Sequence, residues 1–445
     1  MPEIASPPAS TLTPAKTARQ RTDTFTSIWM IIAVAMALVT LVVKNRMPQP
    51  LWTMIHLVTL GVLSNGIFQW SWFFARSLAR LSADDPRARR HNTIRILIFN
   101  ACFLLLFVSM WLGWMVGTMI AATGIAAVAA WHGAEMLSVL RERLASRFVI
   151  VVRYYVCSAS FFVLAALLAS FVSATMFSPS VPEALVAMRD RLTLAHALSG
   201  VAGWVGLTIG GTVITLGPTI LRTRMSPDAV RGGVRVLLPW CLSLLLAIAG
   251  ALLGVMPLVG AGILAVGTCA IVGIVYPYAK VLRNKGPREY SAWSFLLGLL
   301  WISVGVCALG VASLFVSTPS QLRALTLMWL PIIGIAGFAQ LFQGALSYLM
   351  PVVIGGGPSV VRIGIAIIDW QYSLRLGLRN SALILELFLF FTSDSPSVHV
   401  LRMAGWLLVI ATFVIDVVIY AKTGITQAQA RRARSETLSE SRQVQ

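Results

Sequence analysis

Apolar runs of about twenty residues follow one another along this chain with few interruptions, and that recurrence limits the fold more than any other feature. A helix of about twenty residues spans roughly 30 Å, the hydrocarbon thickness of a bilayer. A backbone within hydrocarbon must satisfy its own hydrogen bonds, which leaves helices or closed barrels, and runs of this length select helices. Twelve spans can be read, near residues 26–43, 51–75, 93–112, 115–137, 148–173, 192–216, 234–255, 258–281, 292–316, 325–353, 378–391 and 401–421. Only 11% of the residues are charged, whereas a soluble domain carries about 25%, so lipid rather than water must face much of the surface. The expected fold class is all-α, a polytopic membrane bundle of about twelve transmembrane helices.

Three regions follow from the same pattern. Residues 1–25, rich in Pro, Ala, Ser and Thr, read as a disordered cytoplasmic tail. Residues 26–421 form the transmembrane domain, and residues 422–445 form a polar cytoplasmic tail, read as a frayed helix. The first apolar run lacks a small-residue cleavage site and is expected to stay as an anchor. Between spans ten and eleven, Gly355-Gly356-Gly357-Pro358 marks a break, followed by a short interfacial helix.

The net charge of +19 would suggest nucleic acid in a soluble protein. Here the basic residues fall in short loops, and no nucleic acid partner is expected. Loops after even-numbered spans carry Arg76, Arg80, Arg87, Arg89 and Arg90, then Arg141, Arg143 and Arg147, then Arg222, Arg224 and Arg231, then Lys280, Arg283, Lys285 and Arg288, then Arg362 and Arg375. Loops after odd-numbered spans are thin in Lys and Arg. The positive-inside rule therefore places both termini in the cytoplasm and the chain in the inner (plasma) membrane. The five cysteines lie within spans and form no CxxC or CxxCH motif, which argues against disulfides and covalent haem.

The histidines are five, so each can be weighed. His91 reads as a solvated loop residue, His399 as a loop residue before the last span, and His132 as an interfacial anchor. His56 and His196 differ. Each lies about one turn inside the same end of spans two and six, roughly 6–8 Å below the boundary at ~1.5 Å per residue. An imidazole at that depth needs a partner. The pair suits the axial ligands of one haem b, or separate metal sites such as copper; two helix-end histidines bonded to backbone are the plain alternative. Gly200, Gly203 and Gly210 share the His196 stripe, which suits a flat macrocycle or, more commonly, close helix packing. Arg189 and Arg191 are candidates to pair with haem propionates, or else belong to a solvated loop. Asn65, Gln69, Asn100, Gln340 and Gln343 read as interhelical hydrogen-bonding groups, while Glu386 must be protonated or paired. Spans two, six and ten are long and each leads into a basic stretch, a rhythm that suggests a three-fold bundle.

The stretches His56-Leu-Val-Thr-Leu-Gly-Val-Leu-Ser-Asn, Ala195-His-Ala-Leu-Ser-Gly-Val-Ala-Gly-Trp and Leu216-Gly-Pro-Thr-Ile-Leu-Arg-Thr-Arg carry a resemblance. So does Gln340-Leu-Phe-Gln-Gly-Ala-Leu-Ser-Tyr-Leu-Met-Pro-Val-Val-Ile-Gly-Gly-Gly-Pro. They resemble the actinobacterial twelve-helix membrane module otherwise found fused to copper nitrite reductase or multicopper oxidase domains. That module is distantly similar to the NnrS family and to the heme-copper oxidase catalytic subunit. The resemblance implies a heme-copper-oxidase-like arrangement of helices, with His56 matching a haem ligand and His196 a copper ligand. It also implies electron transfer in nitrogen-oxide or copper-oxidase chemistry, with quinol and an extracytoplasmic copper protein as partners. Spans seven and ten lack the histidines of a binuclear oxygen-reducing centre, so a complete terminal oxidase is not expected. The other readings are a membrane transporter and a non-catalytic accessory subunit.

Overall fold

The computed structural model describes residues 18–43, 46–82, 84–143, 149–177, 180, 182–393 and 395–443. Among them all regular secondary structure is helical. After α1 (Ala18–Val43) come α2 (Pro50–Leu78), α3 (Arg87–Leu112), α4 (Met115–Glu142), α5 (Val149–Phe177), α6 (Arg189–Ile220), α7 (Pro227–Leu253), α8 (Met256–Asn284), α9 (Tyr290–Ser313) and α10 (Pro319–Ile354). Then follow α11 (Pro358–Ile368), α12 (Tyr372–Leu389) and α13 (Pro396–Gln443). The nine helices α2 to α10, together with the greater part of α13, make ten that are long and apolar enough to cross a membrane. This multi-pass helical bundle accounts for ten of the twelve expected spans. The other two fall short for separate reasons. Among the described residues the apolar stretch of α1 is Phe25–Thr40, which Leu41, Val42 and Val43 continue in the sequence, and the 18 residues of α12 include Arg375, Arg379 and Glu386.

The two ends differ from expectation where they are described. Helix begins at Ala18, inside the tail expected to be disordered, and residues 1–17 lie outside the described residues. At the other end α13 continues without a break to Gln443, so the polar tail is an extension of the last helix. The glycine break is present as read: Gly355, Gly356 and Gly357 have φ of 71, 98 and 86°, backbone that side-chain-bearing residues rarely adopt. The short helix expected after it is α11, which packs along α13.

Sequential antiparallel contacts build most of the bundle: α3 on α4, α4 on α5, α7 on α8, α8 on α9, α9 on α10, and α12 on α13. Buried amides link helices as expected. Asn100 Nδ2 donates to Asn65 Oδ1 at 2.7 Å, and the Trp29 indole donates to Asn100 Oδ1 at 2.6 Å, joining α1, α2 and α3.

The helices of the sequence rhythm, α2, α6 and α10, share a feature that α8 also shows at Ile271–Val275 and α3 at its start, Arg87–His91. A π-helical segment interrupts α2 at Leu57–Ser64, α6 at Leu198–Gly206 and α10 at Ile332–Ala339. Such segments are rare and gather at functional sites. The sequence around two of them repeats: Gly200, Ala202, Gly203, Trp204 and Gly210 find Gly334, Ala336, Gly337, Phe338 and Gly344 at the same spacing. In that register Leu330 stands in α10 where His196 stands in α6. The rhythm of spans two, six and ten thus acquires residue-level content.

Two ion clusters are buried. Arg375 and Arg379 of α12 both grip Asp416 of α13, with side-chain exposures of 3%, 0% and 0%. Arg95 of α3, fully buried, pairs with Glu135 of α4 and lies over the rings of Trp72 and Trp131. Removing one partner of a buried pair leaves an uncompensated charge and costs about 3–5 kcal/mol. Glu135→Gln should therefore lower the thermal unfolding midpoint of the detergent-solubilised protein by several degrees. An exposed control, Asp84→Asn, should leave it unchanged; equal midpoints for all three proteins would show that the Arg95 pair carries no stability.

Candidate functional site: a cavity between two histidines

Helices α2 and α6 each bring one imidazole to a common cavity. Pro50 opens α2 at its first turn, where its fixed φ suits a helix start. His56 follows one turn later and directs Nδ1 to the main-chain oxygen of Trp52 at 2.9 Å. The Trp52 indole stacks on the same ring, with centroids 4.3 Å apart. On α6, His196 directs Nδ1 to the main-chain oxygen of Ala165, on α5, at 2.8 Å. A carbonyl only accepts, so each ring must carry its proton on Nδ1, which leaves both Nε2 lone pairs unprotonated. The two rings lie 6.2 Å apart between centroids, with their planes only 14° from parallel.

The pair opens onto a cavity of about 410 Å³ formed by α2, α3, α4, α5, α6 and α10. That volume falls within the roughly 300–1,000 Å³ typical of cofactor and ligand pockets. Small residues make room for it, namely Ala122, Ala165, Ala166, Ala169, Ala197 and Gly200. Its hydroxyls are engaged as donors within their own helices: Thr59 to Ile55, Thr193 to Arg189, and Thr326 to Leu322, each at 2.8 Å. They therefore present oxygen lone pairs inward. Ser173 adds a buried hydroxyl with no partner among the described residues.

Charge is confined to Arg189 and Arg323. Arg323 Nη1 binds Asp190 Oδ1 at 2.8 Å, fastening α10 to α6. Arg191 does not line this cavity. It points to the end of α7, its Nη1 3.5 Å from the Leu253 oxygen and its guanidinium against Gly254. Arg323 was not singled out from the sequence, yet the repeat marks it: Arg323 precedes Leu330 by the interval at which Arg189 precedes His196, and Gln49 precedes His56. All six of these residues line the cavity.

The separation of the two ring centres is near that of imidazoles sharing one metal. An imidazole nitrogen lies about 1.2 Å from its ring centre and binds a metal at about 2.0–2.1 Å. Two rings sharing one metal end-on would thus have centres about 6.4–6.6 Å apart, a few tenths of an ångström beyond the 6.2 Å found. Among the described residues no group of three or more His, Cys, Asp or Glu side chains converges as a metal site. Of those four residue types, the cavity lining carries the two imidazoles.

The remaining candidates lie elsewhere. His132 is fully buried rather than interfacial. Its Nε2 is 3.3 Å from Ser71 Oγ, Phe68, Trp72 and Trp204 present ring faces and edges around it, and Nδ1 lacks a partner. His91 Nδ1 meets Glu135 at 2.7 Å, and His399 is exposed near the start of α13. Glu386 is buried against Gly405, with one carboxyl oxygen unpartnered among the described residues, well outside the cavity lining. Of the glycine stripe only Gly200 borders this cavity; Gly203 packs on Phe161 and Gly210 on Trp240, which is close helix packing.

No known family model matches the chain, and no curated protein matches it. The geometry of the histidine cavity has to speak for itself.

Proposed function

We propose that this chain is an integral membrane redox protein that holds one haem b between His56 and His196. The observation that carries the reading is the pairing itself: two near-parallel imidazoles near the separation of a shared metal, both with Nε2 left free by main-chain acceptors. The haem, when bound, supplies reversible one-electron transfer. The chain's own residues do the rest. The Trp52 and Ala165 oxygens hold the rings in one tautomer and one orientation, and hydrogen bonds of this kind raise ligand basicity. Arg189 and Arg323 provide cations for the carboxylates of the group, and the alanine-lined walls exclude water.

In this reading α1 and α12 also cross the bilayer, which completes twelve spans in an oxidase-like three-fold arrangement. Both termini then lie in the cytoplasm of a plasma membrane protein, and the histidine cavity opens near the extracytoplasmic side. Quinol in the bilayer is the electron source, and an extracytoplasmic copper protein of nitrogen-oxide or copper-oxidase chemistry is the acceptor. With no histidine in α7 or α10, the chain is not a complete terminal oxidase. Copper in place of haem is the second reading, favoured by one observation: Met110 and Met176 line the same cavity, and thioethers suit Cu(I).

The visible spectrum of the purified protein tests this directly. A Soret band and sharp α and β bands on reduction are expected. A colourless protein that takes up no haem on reconstitution would refute the haem reading, and copper found in stoichiometric amount would select the second. A cation near the haem favours the reduced, less positive state, so Arg189→Gln or Arg323→Gln should lower the midpoint potential in a redox titration. An unchanged midpoint in both would remove these arginines from the site.

A further inference from the structure

A second chamber lies beside the histidine cavity. It is lined by α6, α7, α8, α9 and α10, just as the histidine cavity is lined by α2 to α6 together with α10. The repeat that carries α6 onto α10 therefore carries one compartment onto the other. The ligand does not survive the shift: Leu330 takes the place of His196, and Phe338 that of Trp204. Leu194, Ala197, Val201, Thr326 and Leu330 border both spaces, so the partition is a single layer of side chains.

The chemistry of this chamber is hydrocarbon throughout. The hydroxyls on its walls, Ser303 and Thr326, both donate to oxygens of their own helices, Leu299 and Leu322, at 2.8 Å. A water there would find too few partners to be held. Its volume is about 150 Å³. An apolar cavity of about 150 Å³ in a well-studied lysozyme variant stays dry and takes benzene or xenon, and this one matches it in size and lining.

We propose that this chamber is a second copy of the cofactor compartment that has lost its ligands and now binds a small, uncharged, apolar molecule. Its occupant is of diatomic-gas to benzene size, separated from the histidine cavity by Leu330 and its neighbours. Its descent from a cofactor compartment rests on the proposed function, whereas the binding of an apolar molecule rests on the walls of the chamber alone.

Xenon is the probe. Crystals of the full-length protein under xenon pressure should show a xenon atom between Ile209, Val266 and Ile302. Ala202→Phe, which projects a ring into the chamber, should abolish that peak, and Val306→Phe offers a second way to fill the space should the first variant not fold. Ordered water in the chamber, a lipid acyl chain running through it, or no xenon in the parent protein would each overturn the proposal. So would an undiminished xenon peak in a folded filled variant. The haem spectrum of the same crystals reports separately on the histidine cavity, so failure of one idea does not disguise failure of the other.

Discussion

Asp416→Asn is expected to be the most damaging single substitution in the chain. The Asp416 carboxylate accepts from Arg375 on one oxygen and from Arg379 on the other, and it also takes the Tyr290 hydroxyl at 2.7 Å. Arg379 reaches further, to Thr412 Oγ1 at 3.0 Å and Gln343 Oε1 at 2.9 Å, while Arg375 donates to the main-chain oxygens of Trp370 and Ile368. One carboxylate therefore organises α9, α10, α12 and α13. The amide keeps the shape but removes the negative charge that both buried guanidinium groups grip. Breaking a buried pair costs about 3–5 kcal/mol, a large share of the roughly 5–15 kcal/mol that holds a typical domain together. Loss of monodisperse protein in detergent, or a midpoint lowered by ten degrees or more, is the expected result. Asp416→Glu should recover part of the loss. A variant as stable as the parent would mean that the cluster is not the fastening of α12.

His56→Ala and His196→Ala should each abolish the six-coordinate low-spin haem spectrum while leaving the fold intact. Each ring is only half-buried at the edge of the cavity, and each is held by one hydrogen bond, so little packing is lost. The haem would keep one axial ligand and become high-spin, or would be lost on purification. His196→Met tests whether the effect is one of ligation, because a thioether can replace an axial imidazole and raises the potential. A low-spin spectrum that survives in both alanine variants would place the haem elsewhere. Their circular dichroism and size-exclusion profiles serve as the folding control.

Much of this was legible in the residues. Hydropathy located ten of the membrane helices because run length measures the bilayer directly. The same measure misjudged where α12 begins, since Arg375 and Arg379 look like loop charges until their counter-ion is known. Asp416 lies on another helix, and no local pattern connects them. The two histidines were legible through depth, two imidazoles set one turn within parallel helices. Arg191 was misplaced for a reason the sequence does contain. At about 100° per residue, a position seven before His196 falls on its face and a position five before it falls well off that face. Arg189 is the first and Arg191 the second. The π-helical segments were not legible, because they reflect a shift in main-chain hydrogen bonding rather than a pattern of side chains. The burial of His132 escaped for a related reason: depth along a helix says nothing about which way a residue faces.

The central claim is that two nearly parallel imidazoles grip one metal. Electron paramagnetic resonance of the oxidised protein tests it most directly, because the angle between axial imidazole planes sets the anisotropy of low-spin ferric haem. Planes 14° apart predict a rhombic low-spin signal. A high-spin signal, the strongly anisotropic signal of crossed planes, or no haem signal from protein reconstituted with haem would contradict the account.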